Sequence, residues 1–109
     1  MIKKKAVGNQ GNWFAKVGED SFPCVWDFWA VTKNGKLYYN DTGIYNAPKV
    51  DHYVEALRNK KTAILRKRKL GDDAIWESAG YIAMYEIDEI EYDQEGLRFR
   101  FVNRIQELK

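Results

Sequence analysis

The last third of the chain, Gly80 to Arg104, constrains the fold more than any other stretch, because it reads as one long β-hairpin with a face that must be buried. Tyr81, Ile82, Met84, Tyr85, Ile87, Ile90 and Tyr92 supply β-branched and aromatic residues, and Asp93-Gln94-Glu95-Gly96 supplies the turn. On the return strand Leu97, Phe99 and Phe101 alternate with Arg98 and Arg100. Setting Tyr92 opposite Leu97 predicts Ile90 against Phe99 on the buried side. On the solvent side it predicts Glu91 against Arg98 and Glu89 against Arg100. A slip by one residue would bury four charges, so core and charge patterns choose the same register.

Upstream, Met1 to Gly11 carries Lys3, Lys4 and Lys5 with two glycines and reads as a polar, solvated lead-in. Asn12 to Val17 alternates as a strand and ends at the turn Gly18-Glu19-Asp20-Ser21. Phe22 to Val31 is the densest aromatic segment. Pro23 argues against a central strand at its start, and Cys24 to Trp29 fits a helical turn as well as a strand. Asn34-Gly35 predicts a two-residue hairpin joining Trp29–Lys33 to Lys36–Asn40. After a polar loop, Pro48 sits where a first helical residue would, and Val50, Tyr53, Val54 and Leu57 fall at helical spacing, with Asn59-Lys60-Lys61 closing the helix.

Thr62 to Leu70 follows as a strand that opens apolar and closes with four consecutive cations. Ala74 to Glu77 then offers a short strand before the hairpin, and Glu107-Leu108 suggests a continuing helix. With no repeat or linker, residues 1–109 form a single α+β domain. Its mostly antiparallel curled sheet, with one main helix, resembles a small open β-barrel.

Composition narrows the chemistry. The chain is 45% apolar and 15% aromatic, ample for one core and inconsistent with disorder. A net charge of +2 is too small to imply a nucleic-acid partner by itself, so the distribution of charge must carry that argument. No run approaches the roughly 20 apolar residues of a membrane span, and the start lacks the apolar stretch of a secretion signal; the expectation is a cytoplasmic protein without membrane contact. Cys24 and His52 are each the only residue of their type, which argues against a disulfide, a zinc site, cofactor chemistry or a nucleophile–base pair.

The better enzymatic alternative is a metal-dependent nuclease using Glu86, Asp88 and Asp73. Strand alternation spreads the acids over both faces, and the lysine expected two residues after a catalytic acid is missing: Asp88 is followed there by Ile90 and Glu89 by Glu91. The reading favoured is therefore non-catalytic.

What remains is large rings beside cations. Trp13, Trp26, Trp29 and Trp76 with Tyr38, Tyr39 and Tyr45 exceed the needs of a core this size, and Arg66-Lys67-Arg68-Lys69 and Lys60-Lys61 supply positive charge. Base stacking and phosphate neutralisation need those two ingredients. The competing account from a different class is a small interaction protein whose aromatic surface meets another protein chain.

The early Trp-containing strand, the polar loop and short helix, the strand starting Thr62-Ala63-Ile64-Leu65 and the segment Gly80-Tyr81-Ile82-Ala83-Met84-Tyr85-Glu86-Ile87 together resemble the PUA-like superfamily of EVE, ASCH and YTH-type domains over residues 12–104. The ASCH signature of Gly, Lys and Glu and the YTH aromatic triad are not found. The resemblance implies a reader of DNA or RNA that accepts a modified or flipped base in an aromatic cage, as the specificity part of a larger defence or restriction protein. It would place Trp26, Trp29, Tyr39 and Trp76 around the base, Asn40 or Asp41 on its edge, and Arg66, Lys67 and Arg68 on flanking phosphates, with Lys60 and Lys61 as further cations.

Overall fold

Ten elements appear in the computed structural model, which describes residues 2–9, 13–42, 44, 49–70, 72 and 76–109, with backbone alone at 9, 68–70 and 76–78. Strands β1 (Ala6–Asn9), β2 (Phe14–Val17) and β3 (Asp20–Trp26) lead into a 3-10 turn (Asp27–Trp29). Then come the hairpin of β4 (Ala30–Lys33) and β5 (Lys36–Asp41), helix α1 (Val50–Lys60), and strands β6 (Thr62–Leu70), β7 (Trp76–Asp93) and β8 (Gly96–Glu107). They make one eight-stranded sheet in the order β1-β2-β3-β6-β7-β8-β5-β4.

The domain is thus mostly β with one helix. Its sheet is mixed, because β3 and β6 run parallel while every other pair of neighbouring strands is antiparallel. The edge strands β1 and β4 do not pair with each other, so the sheet is curled and not a closed barrel. The curl is pronounced. Lys4 meets Leu108 in a single parallel bridge, with the Lys4 N–H donating to the Glu107 carbonyl at 3.0 Å and the Lys109 N–H to the Lys4 carbonyl at 3.0 Å. Residues 6–9 are therefore an edge strand and not a solvated lead-in: Ala6, 6% exposed, has an apolar layer to enter.

Local chemistry explains most of the boundaries. Asn34 and Gly35 both have positive φ (54° and 76°), the primed turn that matches strand twist, and β4 pairs with β5 from Lys33↔Lys36 to Ala30↔Tyr39. In α1 the residues Val50, Tyr53, Val54 and Leu57 are all buried, and the helix ends on Lys61 in the left-handed conformation, whose N–H donates to the Leu57 carbonyl at 2.9 Å. The helix-start position assigned to Pro48 lies outside the described residues. Pro23 sits inside a central strand after all. β6 joins β3 only from Cys24 onward, so the missing N–H falls before the shared ladder begins.

The C-terminal hairpin keeps the expected register at its tip and loses it further in. Tyr92 faces Leu97 and Glu91 faces Arg98, but a bulge between Asp88 and Glu91 then sets Asp88, not Glu89, against Arg100. Glu89 takes a left-handed φ of 55° in the bulge. Ile90 therefore loses Phe99 as its partner. β7 is a single 18-residue strand that takes in Trp76 and Glu77 of the short strand expected at 74–77, whose first two residues lie outside the described ones, and β8 continues as strand to Glu107 where a helix was expected.

Alternation builds two apolar layers. Inside the curl, Ala6, Ala15, Cys24, Ile64 and Met84 each come from a different strand and meet Leu108. On the other face α1 lies over Phe14, Val25, Ala63, Leu65 and Ile87, and β5 and β8 add Tyr39, Leu97, Phe99 and Phe101. Tyr53 links the layers: its ring meets Trp13 edge-on at 4.7 Å, and its hydroxyl donates to the backbone carbonyl of Cys24 in the sealed interior. Tyr53→Phe strips that carbonyl of its donor at unchanged volume and should cost about 1 to 3 kcal/mol. An unshifted urea midpoint would show the hydroxyl to be spare.

Candidate functional site

Aromatic residues gather where β3 ends. The strand extends through Trp26 and the chain then tightens into the 3-10 turn, which packs on β6 and β5. Phe28 joins the two tryptophans, its ring 6.3 Å from Trp26 and 4.8 Å from Trp29, and it is 37% exposed. Trp26 and Trp29 are both half-buried, with Trp29 also leaning on the main core.

Beneath Trp26 lies Arg66. The parallel pairing sets Trp26 beside Arg66 and the antiparallel one sets Arg66 beside Tyr81, so three neighbouring strands place ring, guanidinium and ring in a row. The guanidinium carbon lies 4.6 Å from the Trp26 ring centroid and 5.2 Å from that of Tyr81. Arg66 is only 3% exposed, so it is a packed cation of the interior and not a surface contact for phosphate. The sequence pattern of four successive cations concealed this, because strand alternation turns Arg66 inward and Lys67 out to solvent. A bulge at Leu65/Arg66 in the β6–β7 pairing brings Tyr81 opposite Arg66.

The remaining expected residues are dispersed. Tyr39 is 2% exposed and stacks on Phe99 with centroids 4.8 Å apart, so it is core and cannot wall an open slot. Burial raises its hydroxyl pKa, helped by the neighbouring Asp41 charge, and the same pairing ties Asp41 to Tyr39. Asn40 is exposed on β5, where the ladder sets it against Arg98. The side chains of Trp76 and Arg68 lie outside the described residues. Lys60 and Lys61 are exposed at the end of α1, with the Lys60 ammonium 5.1 Å from the Phe22 ring. At about 3.3 Å per strand residue they stand roughly 16 Å from Arg66, so one short ligand segment would not span both groups.

Phe28 and Tyr81 belong to this cluster although sequence reasoning did not place them there. Phe28 stands inside the aromatic run already evident at 22–29. Tyr81 had no such signal, since only the pairing of β6 with β7 brings it to Arg66.

The acidic strand offers less. Glu86 accepts a hydrogen bond from Asn103 at 2.8 Å, Asp88 faces Arg100, and Asp73 lies outside the described residues. At the hairpin tip Arg98 holds Asp93 through a two-point contact at 2.8 and 3.1 Å and Glu91 at 3.1 Å. This keeps the Asp93 carboxyl below its ordinary range. Among the described residues no three His, Cys, Asp or Glu side chains converge as metal ligands. A groove of about 340 Å³ runs along α1, lined by Asp51, Val54, Glu55, Arg58, Asn59 and Tyr92, and contains none of the expected site residues. No described helix is long and apolar enough to cross a membrane.

Comparison with protein-family models, with curated proteins and with solved structures finds no match.

Proposed function

We propose that this protein is a non-catalytic nucleic-acid-binding domain of PUA-like type that receives an unstacked base on the aromatic cluster of Trp26, Phe28 and Trp29. The observation that carries the reading is three adjoining rings, one of them 37% exposed, on and beside a turn that packs against β6, the strand that carries Arg66 behind Trp26 and an exposed Lys67 on its opposite face. Stacking on such rings is sequence-tolerant and worth about 1 to 3 kcal/mol per base, while Lys67 adds a salt-sensitive phosphate contact. A curled sheet with its helix between β5 and β6 supports the PUA-like assignment. Tyr39 has no part in this site, and Arg66 acts from beneath it.

Fluorescence anisotropy of labelled single-stranded oligonucleotides at low and moderate salt tests the reading. Phe28→Ala, which removes the most exposed ring of the cluster, should weaken binding about tenfold or more. Lys67→Ala should lower the salt slope by about one. Absence of any binding at low salt would remove the proposal.

The second reading, a protein-binding surface, is favoured by one feature: β4 is an edge strand whose Val31 is 48% exposed, and it follows directly on the turn that carries Phe28. A partner held there would resist salt and be lost on Val31→Lys, whereas oligonucleotide binding would tolerate that change.

A further inference from the structure

We infer that Arg66 sets the chemical class of guest this aromatic cluster takes: a neutral, electron-rich planar ring of the purine kind, and not a quaternary ammonium or other cation. The inference rests on the base-stacking reading above and adds to it a residue that determines specificity.

An indole attracts cations because its π-face is electronegative, which is why cages of aromatic rings are widely suited to methylated ammonium groups. Here one face of Trp26 is already occupied. The Arg66 guanidinium lies 4.6 Å from the ring centroid, in a position 3% exposed to solvent where water screens it little. It draws π-density toward itself and depletes the face turned away from it. A cation arriving there would meet a weakened quadrupole. A purine meets no such penalty, and its broad, polarisable ring gains from stacking on an electron-poor surface.

Arg66 is also held in this role. Tyr81 lies on it at 5.2 Å, and the Tyr81 hydroxyl reaches across the curl to β1, where a Cβ added to Gly8 would stand 3.2 Å from it. The guanidinium is therefore clamped between two rings and is not free to swing toward a phosphate. The arrangement depends on adjacency across β3, β6 and β7, which alternation along a single strand does not reveal.

The indole N–H signal of Trp26 in a nitrogen-15 correlation spectrum, assigned with Trp26→Phe, reports on this surface directly. Titrating the wild-type chain with adenosine and, separately, with choline should shift that signal at concentrations at least about tenfold lower for adenosine. Choline binding equal to or tighter than adenosine would overturn the inference outright, without any variant. Arg66→Met removes the charge and keeps bulk, and should bring the two ligands to within about threefold of each other. Arg66→Gln, polar and planar, serves the same purpose should the methionine variant fail to fold. Selectivity unchanged in a folded neutral variant would likewise defeat the inference. An oligonucleotide that binds while adenosine leaves Trp26 unmoved defeats it too and leaves the base-stacking reading standing; failure of oligonucleotide and adenosine alike removes that reading itself.

Discussion

Replacing Gly96 by alanine should cost more than about 3 kcal/mol, a large share of the roughly 5 to 15 kcal/mol that holds an ordinary domain folded. Gly96 has φ of +118°, a region open essentially to glycine alone. Strain is the smaller part of the cost. A Cβ built there runs into the backbone carbonyl oxygen of Asp41 and stands 2.7 Å from the Thr42 Cα and 2.9 Å from the Asp41 carbonyl carbon. These are backbone atoms that no rotamer change can move aside.

The position also joins two ladders. Gly96 closes the β7–β8 hairpin opposite Asp93, and the next residue, Leu97, pairs with Asp41 of β5. Relieving the clash would push β5 off β8 and open the core around Leu97 and Phe99, which are 0% and 2% exposed. Gly35→Ala is the matched comparison, since its φ is also positive at 76° but nothing lies within 4 Å of the added methyl; strain alone should cost about 1 to 2 kcal/mol. Urea denaturation of the two variants side by side separates collision from strain. Equal midpoints would mean that β5 does not approach Gly96 as closely as described.

Gly96 also marks the boundary of what could be read from sequence. The turn at 93–96 was legible because Asp93 and Gly96 are turn residues by chemistry, and the Glu95 N–H does donate to the Asp93 carboxylate at 2.8 Å. Helix α1, the primed turn at Asn34-Gly35 and the extent of β6 were legible for the same reason: each is decided by residues close together in the chain. The bulge at Asp88–Glu91 was not. It exists because β8 must satisfy β5 on one side and β7 on the other, and a hairpin pattern read alone knows only one partner. The parallel pairing of β3 with β6 spans forty residues and left no local trace, and that pairing makes the sheet mixed.

The candidate site divides along the same line. Composition flagged Trp26 and Trp29 because aromatic density is visible in one dimension. It could not separate Tyr39, whose hydrophobic neighbours Phe99 and Phe101 arrive from β8, from rings at the surface. In sequence Arg66 reads as a phosphate ligand because its neighbours there are cations, whereas its neighbours in space are Trp26 and Tyr81. A charge run on a strand is two half-runs on opposite faces, and only the fold tells which half is covered.

The interior carries a liability to alkali that follows from the same packing. Cys24, sealed in the curled layer, has its thiol pushed up from 9.0 to about 12 by desolvation, an effect the nearby Arg66 charge only partly offsets. Tyr39 and Tyr53 are raised above their ordinary 10.0, in each case chiefly by burial; the next contribution is the Asp41 charge for Tyr39 and the neighbouring Tyr39 for Tyr53. In all three the folded chain keeps a proton that the unfolded chain releases. The folded state therefore binds more protons in this range, and stability falls as pH rises. Their contribution is intact below pH 9, is eroded by Cys24 alone at roughly 1.4 kcal/mol per pH unit up to about pH 10, and then by three groups at up to roughly 4 kcal/mol per unit. Against the 5 to 15 kcal/mol typical of a whole domain, the upper slope should unfold the chain within about a pH unit or two of its onset. Urea midpoints measured from pH 8 upward should show a shallow decline followed by a steep one, and the part of the tyrosinate absorbance that Tyr39→Phe and Tyr53→Phe remove should appear together with the loss of structure and not before it. Cys24→Ala should flatten the shallow limb and leave the steep one in place. Ionisation of those two tyrosines ahead of unfolding would mean that water reaches them, and the sealed layer between α1 and the sheet would have to be redrawn.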